Sequence, residues 1–131
     1  MPIKVMLIDS DTYSLRALRR ELEDEYFVLS CSRGQSALDL FKIFKPEAVV
    51  ANRLTEGFEA GEFLDRLRRE TGDSPIPVWI TRSEGAPESL LYPRPPEVFF
   101  LHGPAHPTLL RAQLSWHFGL EMDRRARVLE T

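Results

Sequence analysis

Cysteine is nearly absent from this sequence: Cys31 is the single one among 131 residues. One thiol cannot close a disulfide within the chain, so the fold must rest on an ordinary core, and a reducing cytoplasm is the expected setting. Cys31, between Ser30 and Ser32, reads as a small core residue. Long apolar runs are absent too. None approaches the ~20 residues that span a bilayer, and the opening stretch MPIKVMLIDSD is too short and too acidic for a secretory leader. There is no excess of positive charge: 17 Lys and Arg against 20 Asp and Glu leave a formal net charge of −3. That argues against nucleic acid as this chain's own partner, since phosphate binding wants a basic face. Neither GxxxxGK[ST] nor GxGxxG occurs. No GxSxG elbow accompanies Ser10, which excludes the common hydrolase arrangement. Internal repeats and low-complexity tracts are lacking.

What is present suffices for one domain of ordinary size. Hydrophobic residues make up 43% of the chain, enough for a normal core. Ile3 to Ile8 (IKVMLI) is almost unbroken apolar sequence, as expected of a strand buried on both faces. Asp9-Ser10-Asp11 ends it, and Asp11 or Thr12 caps a helix from about Thr12 to Glu25, with Leu15, Leu18 and Leu22 at helical spacing. Tyr26 to Ser30 reads as a second strand, Ser32-Arg33-Gly34 as a turn, and Gln35 to Phe44 as a second helix stopped by Lys45-Pro46. Ala48 to Ala51 is a third strand. Glu62 to Glu70 is a third helix, Ile76 to Ile80 a fourth strand and Val98 to Leu101 a fifth. Pro107 to Phe118 is the last helix, with Pro107 suited to its first turn.

Strands alternating with helices at this spacing predict a parallel sheet covered on both faces. A ligand site is then expected beyond the carboxyl ends of the strands, where Asp9, Ser10, Asn52, Thr81 and His102 or Gly103 would gather. One link departs from the alternation. Between strands four and five lies RSEGAPESLLYPRPPE, with Pro87, Pro93, Pro95 and Pro96. Proline removes amide donors and fixes φ, so a fourth helix here is shortened or replaced by a Pro-rich loop.

Four segments now line up in order. They are LIDSD (Leu7 to Asp11), KPEAVVANRLTEGFEAGEFLDRLR (Lys45 to Arg68), PVWITRS (Pro77 to Ser83) and LHGP (Leu101 to Pro104). Together they resemble the receiver domain of bacterial two-component response regulators, over about Ile3 to Leu120. The resemblance implies a flavodoxin-like, doubly wound sheet of five parallel strands in the order 2-1-3-4-5. It also implies a phosphorelay chemistry. In that family an Asp after strand three accepts a phosphoryl group, an acidic pair after strand one helps to hold magnesium, and a Thr or Ser and a Lys bind the phosphoryl oxygens.

Carried over residue by residue, the pattern is degenerate. Asp9 keeps the first acid, but Ser10 replaces the second. Asn52 stands at the phosphoacceptor position, and an amide is no nucleophile for this transfer. Thr81 keeps the hydroxyl, and the Lys position falls on Gly103. Asp9 alone, with Asp11 as a weak second candidate, is too poor in carboxylate charge for magnesium. The expectation is therefore no cofactor, no resident metal and no enzymatic activity. The open alternatives are phosphorylation at Ser10, Asp9 or Asp11, and a small ligand sensed at the same crevice. His102, His106 and His117 read as ordinary surface histidines, and Trp79 and Trp116 as core or sheet-flanking residues.

The resemblance further implies a protein-interaction module that acts without a phosphorylation signal. Its docking face is expected at strand four, strand five and the last helix, carrying Leu90, Leu91, Tyr92 and Phe99. It would engage a partner protein or a second copy of itself. Phe100 falls where the family often has a switching aromatic. Residues 1–120 form the receiver-like domain. The tail Glu121 to Thr131 either extends the last helix or begins a linker to an effector domain absent from this chain.

Overall fold

β1 (Ile3–Ile8) lies at the middle of a parallel sheet because its apolar residues are needed on both faces: Val5, Met6, Leu7 and Ile8 are fully buried. In the computed structural model it pairs with β2 (Tyr26–Cys31) on one side and β3 (Ala48–Asn52) on the other. β4 (Val78–Arg82) and β5 (Val98–His102) complete the order β2-β1-β3-β4-β5. Four helices accompany these strands among the described residues: α1 (Thr12–Leu22), α2 (Gly34–Phe44), α3 (Ala60–Thr71) and α4 (Pro107–Glu130). The structure describes residues 2–72, 76–82, 98–102 and 105–130. The Pro-rich link with Leu90, Leu91 and Tyr92, and Gly103 at the end of the fifth strand, lie outside the described residues.

Alternate strand residues serve two cores, as the period of two requires. Met6, Ile8, Val49, Ala51, Val78 and Ile80 face α2 and α3, which contribute Ala37, Phe41, Phe63, Leu64 and Leu67. Val5, Leu7, Val50 and Trp79 face α1 and α4, which contribute Leu18, Leu22, Leu110 and Leu114. Cys31 is buried in the first core, and burial pushes its thiol up to about 11, so it stays neutral and unreactive.

Several element limits differ from the sequence reading. α1 stops at Leu22, where the acidic run Glu23-Asp24-Glu25 turns away and the Glu25 N–H returns to the Leu22 carbonyl. α3 begins at Ala60 because the Glu59 carboxylate accepts from the N–H groups of Gly61 and Glu62. β4 begins at Val78, since Pro77 has no N–H to offer a ladder. β2 runs one residue further, to Cys31. α4 continues through Glu130, in residues of good helix propensity.

Trp116 is not core. It is 69% exposed, on the side of α4 turned away from Leu110 and Leu114. Nor is His117 an ordinary surface residue. It is half-buried and meets Trp79, Phe99 and Phe118 edge-on, with centroids 5.8, 6.2 and 5.0 Å away.

Candidate functional site

Three backbone ends converge beyond the sheet. Asp9 follows β1, Asn52 closes β3 and Thr81 lies in β4 directly beside Asn52 in the strand register. Asp9 is almost fully buried, at 3% exposure, and Thr81 is buried at 5%. A buried carboxylate is costly unless it accepts hydrogen bonds. Asp9 Oδ1 accepts two, from the Asp11 N–H at 2.9 Å and from Asn52 Nδ2 at 3.0 Å.

The Asn52 amide is held at both ends. Its Nδ2 donates to Asp9, while its Oδ1 accepts from the Leu54 N–H at 3.0 Å and from the Thr81 hydroxyl at 3.2 Å. These neighbours set the amide orientation, because a flipped group would oppose two N–H donors at Leu54 and two acceptors at Asp9. Thr81 Oγ1 in turn accepts from the Arg53 N–H at 3.2 Å. The result is a continuous chain, Asp9 to Asn52 to Thr81, fastened at each residue to a backbone N–H.

Asp11 does not join this cluster. Its Oδ1 accepts from the N–H groups of Tyr13 (3.0 Å) and Ser14 (3.3 Å), so it caps α1. Ser10 is exposed in the turn between β1 and α1. His102 ends β5, paired in register with Arg82. Phe100 is half-buried against the α2–α3 core, and Phe99 points to the opposite face, stacked on Trp79 at 5.1 Å.

Sequence reasoning missed Thr55. It is buried at 3%, and its hydroxyl donates to the Asn52 carbonyl at 2.6 Å with the Ile8 carbonyl at 3.3 Å, tying the β3–α3 loop to β1. Hydroxyl residues that bond back to nearby backbone are the available signal, and Asn52-x-x-Thr55 has that form.

Magnesium does not fit this donor set. Hard divalent cations need several oxygen donors. Asp9 is the one buried carboxylate among the described residues, and its Oδ1 already accepts from the Asn52 amide and the Asp11 N–H. Among the described residues no group of three or more His, Cys, Asp or Glu is placed to hold a metal.

No family model matches the chain. The response regulator MprA of Mycolicibacterium vanbaalenii is 32% identical over 83 residues, which cover 63% of this chain and 36% of that protein. The matched stretch thus spans about a third of the length of that relative. Among solved structures, the chemotaxis response regulator CheY4 of Vibrio cholerae superposes with a TM-score of 0.74 at 18% identity, covering 88% of this chain and 98% of that one. A response regulator from Desulfuromonas acetoxidans gives a TM-score of 0.71 at 19% identity, covering 90% and 98%. Fold and strand order define a flavodoxin-like receiver fold. Within that fold the chain is similar in sequence, over those 83 residues, to a protein named as a response regulator.

Proposed function

We propose that this chain is an atypical receiver, a signalling module that works without phosphoryl transfer and has no enzymatic activity of its own. The observation that carries this reading is the Asp9–Asn52–Thr81 chain of hydrogen bonds. At the position where a receiver of this type would carry a nucleophilic, metal-binding carboxylate, an amide donates to Asp9 and accepts from Thr81. The amide nitrogen supplies the positive end that a cation would otherwise provide, so the pocket is electrostatically closed on itself. A module of this kind signals by what it binds. The proposed docking face is made by β4, β5 and α4, where Trp79, Phe99, Phe100, Gln113, Trp116 and His117 line a hollow of about 460 Å³. Its occupant would be a partner protein in the cytoplasm. Among the described residues no helix is long and apolar enough to cross a membrane.

The test is incubation with acetyl phosphate and magnesium, followed by intact-mass measurement. The expected result is no gain of a phosphoryl group, with a phosphorylatable receiver as positive control. A gain of one phosphoryl group sinks the reading. Its loss on Ser10→Ala, Asp9→Asn or Asp11→Asn would then name a non-standard acceptor.

A further inference from the structure

The sheet has two edges, β2 and β5. Edge strands are normally blunted by charge, proline or a bulge, because their outward N–H and C=O groups are a template for another strand. β2 has none of these devices. It reads Tyr-Phe-Val-Leu-Ser-Cys and pairs with β1 without a break from Ile3↔Tyr26 to Ile8↔Cys31. Among the described residues nothing pairs with its outer side. The Cys31 carbonyl accepts from the Asp9 N–H, so the main chain of Cys31 points inward to β1. Strand alternation then turns the N–H and C=O of Val28 and Ser30 outward.

An apolar hollow of about 520 Å³ lies beside this edge, lined by Phe27, Leu29, Leu40, Ile43 and Phe44 among others. Phe27 is 57% exposed and Ile43 81% exposed. Phe27 is held in place by stacking on Phe44 at 5.7 Å. Contiguous exposed apolar surface of this kind marks an interaction site. The charges at the two ends of the strand identify the occupant. Glu23, Asp24 and Glu25 precede β2; they pair within the chain with Arg19 and Arg111 but keep 56, 65 and 49% of their side chains exposed, and exposed Arg33 follows the strand. Arg33 has no ion pair among the described residues.

We infer that β2 is a self-association edge, and that a second copy of this chain adds its own β2 antiparallel, about a two-fold axis at Leu29. In that register Val28 faces Ser30 of the second copy, and their outward N–H and C=O groups form a hydrogen-bonded pair. Leu29 meets its own symmetry mate, and Glu25 lies opposite Arg33 of the second copy. A parallel arrangement would instead set acid against acid. The two α2 helices come side by side on the same face, covering Phe27 and Ile43. Such an interface is isologous and closes at two copies. It lies at the opposite edge from the proposed partner face, so both can be occupied at once.

Light scattering on the purified chain from micromolar to millimolar concentration tests this. The expected mass is twice the 15.1 kDa of one chain. Ser30→Pro deletes an outward N–H without touching the β1 ladder, and Phe27→Lys puts a charge on the edge. Each should raise the dissociation constant about tenfold or more with unchanged circular dichroism, the proline by removing symmetry-related hydrogen bonds. Arg33→Glu, at an exposed position with no ion pair among the described residues, should weaken the dimer by setting acid against Glu25 of the second copy. Trp116→Lys, on the other edge, should leave the dimer intact. A single-chain mass at millimolar concentration overturns the inference. So does a dimer that survives both β2 substitutions, or one that is lost only in Trp116→Lys; none of these outcomes bears on phosphorylation.

Discussion

At Asn52 one side-chain atom separates two chemistries. The amide nitrogen sits 3.0 Å from Asp9 Oδ1 as a donor; a carboxylate there would be a second anion beside a buried one. Asn52→Asp should therefore cost about 1–3 kcal/mol, the usual penalty for a buried group deprived of its partner. It should also create a cation site, because the variant regains a second carboxylate facing the crevice. Thermal melts with and without magnesium check both halves. The variant should melt below the wild type in chelator and recover when magnesium is added, while the wild type should not respond. A wild type stabilised by magnesium as much as the variant would contradict the account. The amide at position 52 was visible in the sequence, because its chemistry does not depend on the fold. Its hydrogen bonds were not, since Asp9 and Thr81 are remote from it along the chain.

The elements around the site are positioned by close backbone approach. Gly34 opens α2 against the β3–α3 loop, and its N–H donates to the Glu56 carbonyl at 2.9 Å. A Cβ at Gly34 would fall 2.4 Å from the Gly57 carbonyl oxygen and 2.5 Å from Phe58 Cα, both backbone atoms that a rotamer change cannot move. Gly34→Ala should consequently destabilise by about 1–3 kcal/mol despite improving helix propensity. Urea denaturation checks it, with Ser36→Ala on the exposed side of the same helix as a near-neutral control. Element order was legible from apolar runs and helical spacing. The limits were less so. Glu59 is not a favoured N-cap type, so the start of α3 carried no sequence signal two residues ahead of Glu62.

Across the whole molecule the two tryptophans divide the labour between core and surface. Trp79 is 2% exposed, stacks on Phe99, and donates from Nε1 to Gln113 Oε1 at 2.9 Å, tying β4 to α4. Trp116 on the same helix faces solvent. Trp79→Ala should cost about 3–5 kcal/mol through cavity formation, whereas Trp116→Ala should stay within about 0.5 kcal/mol. Chemical denaturation of the two variants decides this. Equal losses would place Trp116 in the core, one of the two readings its sequence allowed beside a sheet-flanking one, and would remove it from the proposed docking face.

The residues alone determined the alternation of strands and helices, the parallel sheet, and the absence of a nucleophile at position 52, because propensity, periodicity and functional-group chemistry are local properties. The tertiary structure decided where the Asn52 amide points, that Asp11 caps a helix, and which edge of the sheet stands unguarded. Those outcomes depend on contacts such as Asn52 with Asp9 and Thr81, 43 and 29 residues apart. Separations of that size leave no trace in any local pattern; only packing brings the partners together.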